Sequence, residues 1–271
     1  MEAISGLITL ASIGLALVIG VRLSKLGRAT KGPETWLALY FLLAQVLGFS
    51  LSGFLYMSWT DASRTLPAAV STPLHAVTLA AANAGLAALY VFTWKTFYPR
   101  SARARRVLGA LLAALAAAYL AIPATEGFAV RVMPGAAYWT SWVLRTGALV
   151  WLSFESLRYW GLLRRRMRIG LAEPLVTNRF LLLGIWAIAV FDMGSADPLA
   201  RIWYVAEVGS TAQWIPELAH SIVAGVLVLT STLGIAAVAM LLLIFFPTPA
   251  FRGLIEGNAA APVEPPAPRP L

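Results

Sequence analysis

Residues 108–122 read LGALLAALAAAYLAI, with no charged side chain among them. Wound as a helix, the stretch is apolar on every face. A membrane strand instead alternates apolar and polar positions over about ten residues, and no such alternation is visible here. Inside a bilayer every backbone N–H and C=O must be bonded within the protein, which a helix achieves in a single segment. The stretch therefore predicts a helix surrounded by lipid.

The rest of the chain has the same character. Of its 271 residues 59% are hydrophobic and 12% charged, and the mean hydropathy is +0.76. Soluble domains are nearer half apolar and about a quarter charged, and disordered chains are polar, so both classes are excluded for most of the length. A membrane helix needs about 20 mostly apolar residues. Seven segments meet this, at roughly 3–22, 35–57, 70–96, 107–125, 136–160, 176–196 and 218–246. The expected fold is an all-α integral membrane protein: a seven-helix transmembrane domain over 1–246, and a Pro/Ala-rich tail over 247–271 with no periodic apolar face, expected to be extended or disordered. The first segment has no basic residue before Arg22, so it reads as an uncleaved span rather than a signal peptide.

The net charge is +9, and its placement is more informative than its size. Arg22, Lys25, Arg28 and Lys31 follow segment 1; Lys95, Arg100, Arg103, Arg105 and Arg106 join segments 3 and 4; Arg158, Arg164, Arg165, Arg166 and Arg168 join segments 5 and 6. The intervening connections hold only Arg64, Arg131 and Arg201. Short cytoplasmic loops carry the excess of Lys and Arg, so the N-terminus is expected outside and the C-terminus in the cytoplasm of a bacterial inner membrane. The basic clusters "RSARARR" and "LLRRRMRIG" then serve topology and contact with anionic lipids, not nucleic acid. Trp36, Trp94 and Trp160 near inner ends and Trp59, Trp139, Trp203 and Trp214 near outer ends form the interfacial aromatic belt.

Ionisable groups inside hydrocarbon are costly and are the first functional candidates. Arg145 of segment 5 and Asp192 of segment 6 lie at nearly equal depth when residues are counted from the helix ends at 1.5 Å each. An ion pair between them is expected, either as a clasp between the two helices or as a ligand or ion site. Tyr138 shares a face with Arg145, and Asn178 with Asp192, so both alignments are expected to mark inward stripes. Nearer the cytoplasm, Glu155 has Arg179 or Arg158 as partner. At mid-depth Gln45 and Asn83 are expected to act as interhelical hydrogen-bonding amides. His75, Glu217 and His220 gather at the outer rim, where zinc ligation, a pH-sensitive rim and plain interfacial histidines are alternative readings. The 197–217 connection could cap the outer mouth.

Seven helices with the N-terminus outside are similar to the topology of microbial rhodopsins and of the seven-helix sensor modules of bacterial kinases, across 1–246. The rhodopsin resemblance implies a Schiff-base lysine in the last helix. The only lysines are Lys25, Lys31 and Lys95, so no covalent retinal is expected. The sensor resemblance implies an output domain, and none is expected within 1–271. The phrase "RIGLAEPLVTNRFLLLGIW" resembles a turn into the sixth helix of other bacterial membrane proteins. No cysteine is present, and no G-x-S-x-G, H-E-x-x-H or Walker motif occurs; enzymatic activity is not expected. The residues point to a ligand-sensing or regulatory membrane module that acts through protein partners, with Arg145, Asp192, His75 and His220 as polar groups and Tyr138, Trp142 and Trp186 as walls. The alternative is a transporter of a small molecule, proton or ion, for which Asp192, Arg145, Asn83, Gln45 and Glu155 would have to form a continuous polar track; otherwise Gln45, Asn83, Glu155, Asn178 and Arg179 are structural polar groups.

Overall fold

The computed structural model describes residues 2–49, 66–125, 127–128, 135–208 and 216–259, and these are helical apart from short turns. The helices in chain order are α1 (Glu2–Thr30), α2 (Glu34–Phe49), α3 (Ala68–Phe97), α4 (Ala102–Thr125), α5 (Ala136–Met167), α6 (Pro174–Val208), α7 (Pro216–Phe245) and α8 (Pro249–Ala259). Each of the seven apolar segments thus meets a helix, in the order expected. Five of these helices, α1, α3, α4, α6 and α7, are long and apolar enough to cross a membrane. In α5 the apolar surface is broken by Arg145, Glu155 and Arg158, and the second half of the 35–57 segment falls outside the described residues.

The helices pack as a ring in which α1 meets α2, α2 meets α3, α3 meets α5, α5 meets α6, α6 meets α7 and α7 returns to α1. Helix α4 lies outside this ring and packs against α3 and α5. Its outer surface, including Leu120 at 67% exposure, is covered by none of the other described residues. Large apolar side chains also stand exposed on α1, α5, α6 and α7. In water such a surface would cause aggregation; against acyl chains it is the ordinary exterior.

Helix α2 changes register at Tyr40, from α to a π pattern that runs through Phe49. In a π-helix the hydrogen-bonded residue lies five positions on. Gln45 accordingly lies over Tyr40 and donates from Nε2 to its hydroxyl at 2.6 Å. The same stretch supplies a close helix contact. Gly48 rests on the backbone of Ala82, where an added methyl would come within 2.9 Å, and Gly85 rests still more closely on the backbone of Ala44. The small residues around Asn83 in "LAAANAGLAA" make this approach possible, as close packing in lipid requires.

The basic loops converge on one end of the ring. Arg22 donates to the Phe245 carbonyl at 3.4 Å and covers the Phe246 ring, joining α1 to the end of α7. Lys95 of α3 covers Trp36 of α2. Phe97, Tyr159 and Phe180 form an edge-packed trio among α3, α5 and α6 at that end.

The tail departs from expectation. Its first part folds as α8, because Thr248 caps the helix with its hydroxyl accepting from the Phe251 N–H at 3.2 Å, and Pro249 occupies the first helical position, where its missing N–H costs nothing. Phe251, Leu254 and Ile255 recur at helical spacing, a stripe too short to stand out among the surrounding prolines. Ile255 is buried, and α8 packs on α6.

The α2–α3 seam yields a direct test. Gly85→Val should lower the detergent melting temperature clearly, at an expected cost of about 1–3 kcal/mol for overpacking. Gly109→Ala, on the open face of α4 where nothing lies within 4 Å of the added methyl, should not lower it, and its better helix propensity should if anything raise it slightly.

Candidate functional site

Helix α5 touches α3, α4 and α6 and carries the polar side chains that matter at two levels. Away from the basic end, Asn83 of α3 and Ser141 of α5 exchange hydrogen bonds at 3.2 and 3.3 Å, both buried. Trp142 donates from Nε1 to the Gly194 carbonyl of α6 at 3.4 Å. That carbonyl lacks its usual helical donor because the residue four positions on is Pro198, which has no N–H. One turn further along α5, the Arg145 guanidinium covers the Tyr138 ring at 5.5 Å and donates to its hydroxyl at 3.5 Å. Tyr138, Trp139 and Trp142 form a ladder of edge-on rings beside it.

At the basic end, Glu155 is buried and Arg158 projects outward. The Tyr98 hydroxyl, just past the end of α3, donates to Glu155 Oε1 at 2.8 Å and accepts from Arg158 Nη1 at 2.7 Å. Glu155 and Arg158 are themselves 3.4 Å apart. Three groups thus close on one another and fasten α3 to α5. Burial, and then the Glu155 carboxylate, push the Tyr98 hydroxyl above its ordinary range against the opposing pull of Arg158, so it stays a donor at neutral pH.

Between the two levels lies an apolar layer. Tyr40, Phe41 and Trp186 interlock with ring centroids 5.3–5.7 Å apart, at 0%, 0% and 1% exposure. Leu86, Leu89, Leu149 and Leu152 fill the remainder and are equally buried.

Several expectations need correction. Arg145 and Asp192 do lie at one level, since Trp142 meets Gly194 and Gly184 meets Ser153 and Leu157. No ion pair joins them; among the described residues the one pair is Arg158 with Glu155. Asp192 is exposed, on the same face of α6 as exposed Ile185, Ile188 and Leu199. Asn178 shares that face, as its spacing requires, and lines a groove against α8 instead of an inward stripe. Its Nδ2 donates to the Pro174 carbonyl at 3.1 Å. Glu155 takes Arg158 and Tyr98 as partners, and the Arg179 Nε is buried with no hydrogen bond. Asn83 bonds to Ser141 and not across to Gln45. Trp186 is core packing rather than a wall of an open site. His75 Nδ1 lies 2.9 Å from the Phe128 carbonyl, tying α3 to the α4–α5 connection. The side chains of Glu217 and His220 lie outside the described residues.

Tyr98 and Ser141 were not among the candidates. Tyr98 carries a signal in hindsight: it is an aromatic hydroxyl directly before Pro99, where a helix ends. Ser141 carries none, because a serine on an apolar helix ordinarily bonds back to its own backbone.

No known protein family matches the sequence, and neither a curated protein nor a solved structure is detectably similar to it.

The three-membered clasp should be non-additive. Tyr98→Phe and Arg158→Gln, singly and together, are expected to show a coupling of about 0.5–3 kcal/mol in detergent unfolding. The Tyr98 contribution belongs to the protonated hydroxyl, whose folded-state pKa is raised above 10.0. It should be complete below that pH, fade as pH rises through the folded-state value, and vanish in Tyr98→Phe.

Proposed function

We propose that this chain is a seven-span bacterial inner-membrane protein with the N-terminus outside and the C-terminus in the cytoplasm, acting as a ligand-sensing or regulatory module through protein partners. The site we assign is the outer half of α5, with Arg145 as the group that takes an anion, Tyr138 and Trp142 beside it and His75 at the rim. The apolar layer carries this reading. Tyr40, Phe41 and Trp186, with the leucines around them, separate Arg145 from the Glu155 level with side chains at most 1% exposed. Among the described residues, a polar molecule held at Arg145 meets this closely packed, largely apolar layer before the Glu155 level, which favours sensing over transport.

Information can still cross such a layer as a helix movement. Helix α5 bears Arg145 at one level and Glu155 and Arg158 at the other. An anion that draws Arg145 off the Tyr138 ring would act on the rod whose far end is clasped to Tyr98. The guanidinium has five N–H donors, and among the described residues its hydrogen bond is the long one to Tyr138 at 3.5 Å, which leaves donors for a carboxylate or phosphate. The arginine-rich turn then lies on the cytoplasmic face, where a partner would read the shift.

Two measurements test this. The chain has no cysteine, so single cysteines at Ser101 and Ala172 should be labelled only from the cytoplasm and one at Ser210 only from outside. In reconstituted vesicles, inorganic phosphate and short-chain carboxylates should change the tryptophan fluorescence saturably, and the change should disappear in Arg145→Gln and in Trp142→Phe. Arg145-dependent flux of those anions, or of protons, would overturn the sensing assignment in favour of transport.

A further inference from the structure

A groove of about 360 Å³ opens where the end of α5, the start of α6 and α8 meet. Its walls are Met167, Pro174, Leu181, Leu182, Phe251 and Ile255, with Asn178 as the polar member. Arginines stand on both sides. Arg165, Arg166 and Arg168 flank Met167, and Arg252 follows Phe251; all four are exposed. Arg164, by contrast, already lies over the Trp160 ring.

The turn between α5 and α6 places apolar side chains in the same neighbourhood. The Gly170 N–H donates to the Met167 carbonyl and the Leu171 N–H to the Arg166 carbonyl, at 3.0 and 2.9 Å, with Gly170 at φ +72°. This is a Schellman closure, and its left-handed position suits glycine. It leaves Ile169 69% and Leu171 72% exposed among the arginines, and Leu254 of α8 is 64% exposed on the other side. Apolar side chains interleaved with guanidinium groups, at the end of a helix long enough to cross a membrane, match the boundary between headgroups and acyl chains.

We infer that this groove is a binding site for one acidic phospholipid, with an acyl chain along Leu181, Leu182 and Ile255 and the phosphate held by Arg165, Arg166, Arg168 and Arg252. The charge at the groove mouth selects the occupant. A neutral lipid would fill the apolar walls and leave the arginines unmatched, whereas an anionic headgroup uses both features. Helix α8 forms one wall, so an occupied groove holds the chain after α7 against α6. This rests on the membrane placement and is independent of sensing at Arg145.

The test uses the full chain, delipidated in detergent and returned to defined lipid, with retained lipid counted by native mass spectrometry. Wild type should keep one phosphatidylglycerol and release phosphatidylcholine, and added inorganic phosphate should not displace the lipid. Replacing Arg165, Arg166 and Arg168 together by Gln should weaken retention about tenfold or more, while the triple Lys variant should preserve it and show that the turn still folds. Leu182→Trp, which fills the groove and leaves the arginines in place, should also lose the lipid, with a melting temperature near wild type. Equal retention of both lipids, retention unchanged in the Gln variant, retention unchanged in Leu182→Trp, or a peptide occupying the groove in place of lipid would each overturn the assignment.

Discussion

Between acyl chains, apolar side chains gain nothing from leaving solvent, because the surrounding solvent is as apolar as they are. Helices then associate through close van der Waals contact and a small number of interhelical hydrogen bonds. This constraint accounts for the seam between α2 and α3, where Gly48 lies on Ala82 and Gly85 on Ala44 with no room for another methyl. It accounts equally for the interlocked rings of Tyr40, Phe41 and Trp186, which make the area contact that small residues cannot. Each polar bond across the ring, from Asn83 to Ser141 and from Trp142 to Gly194, then fixes rotation and register at positions where packing alone would allow sliding.

How much of this could be read in advance depends on which coordinate is asked for. The existence and order of the helices follow from runs of apolar residues and from where Lys and Arg interrupt them, and those runs are long. Depth along a helix follows from counting, which is why Arg145 and Asp192 do share a level. Azimuth is different. Asp192 and Asn178 are on one face as their spacing requires, but nothing in the spacing says which way that face looks. In a water-soluble protein the polar stripe would look outward and settle the matter; in lipid both faces of α6 are apolar, so that cue is missing. Exposed Ile185 and Ile188 beside Asp192 decide it only once the neighbouring helices are placed.

Residue-level partners were harder still. Glu155 had two arginines within plausible reach, and the helix-adjacent one, Arg158, was preferred because a third group, Tyr98, arrives from α3 and satisfies both charges. The π register of α2 has no composition signature, and the Tyr40–Gln45 bond exists because of it. Helix α8 was obscured by the prolines around it, although Pro249 is the residue that begins it.

The rings at the basic end divide its cations into two populations. Arg22, Lys95, Arg158 and Arg164 each lie over an aromatic face of the chain itself, on Phe246, Trp36, Tyr98 and Trp160. Arg103, Arg105, Arg106, Arg165, Arg166 and Arg168 project outward. Contacts at ring-face distance are little affected by dissolved electrolyte, whereas attraction reaching beyond about 10 Å is largely screened at 0.1 M ionic strength. Raising the salt concentration would therefore quiet the outward set and leave the ring-bound set in place, so the shape of this end is insensitive to ionic conditions that strongly alter its reach.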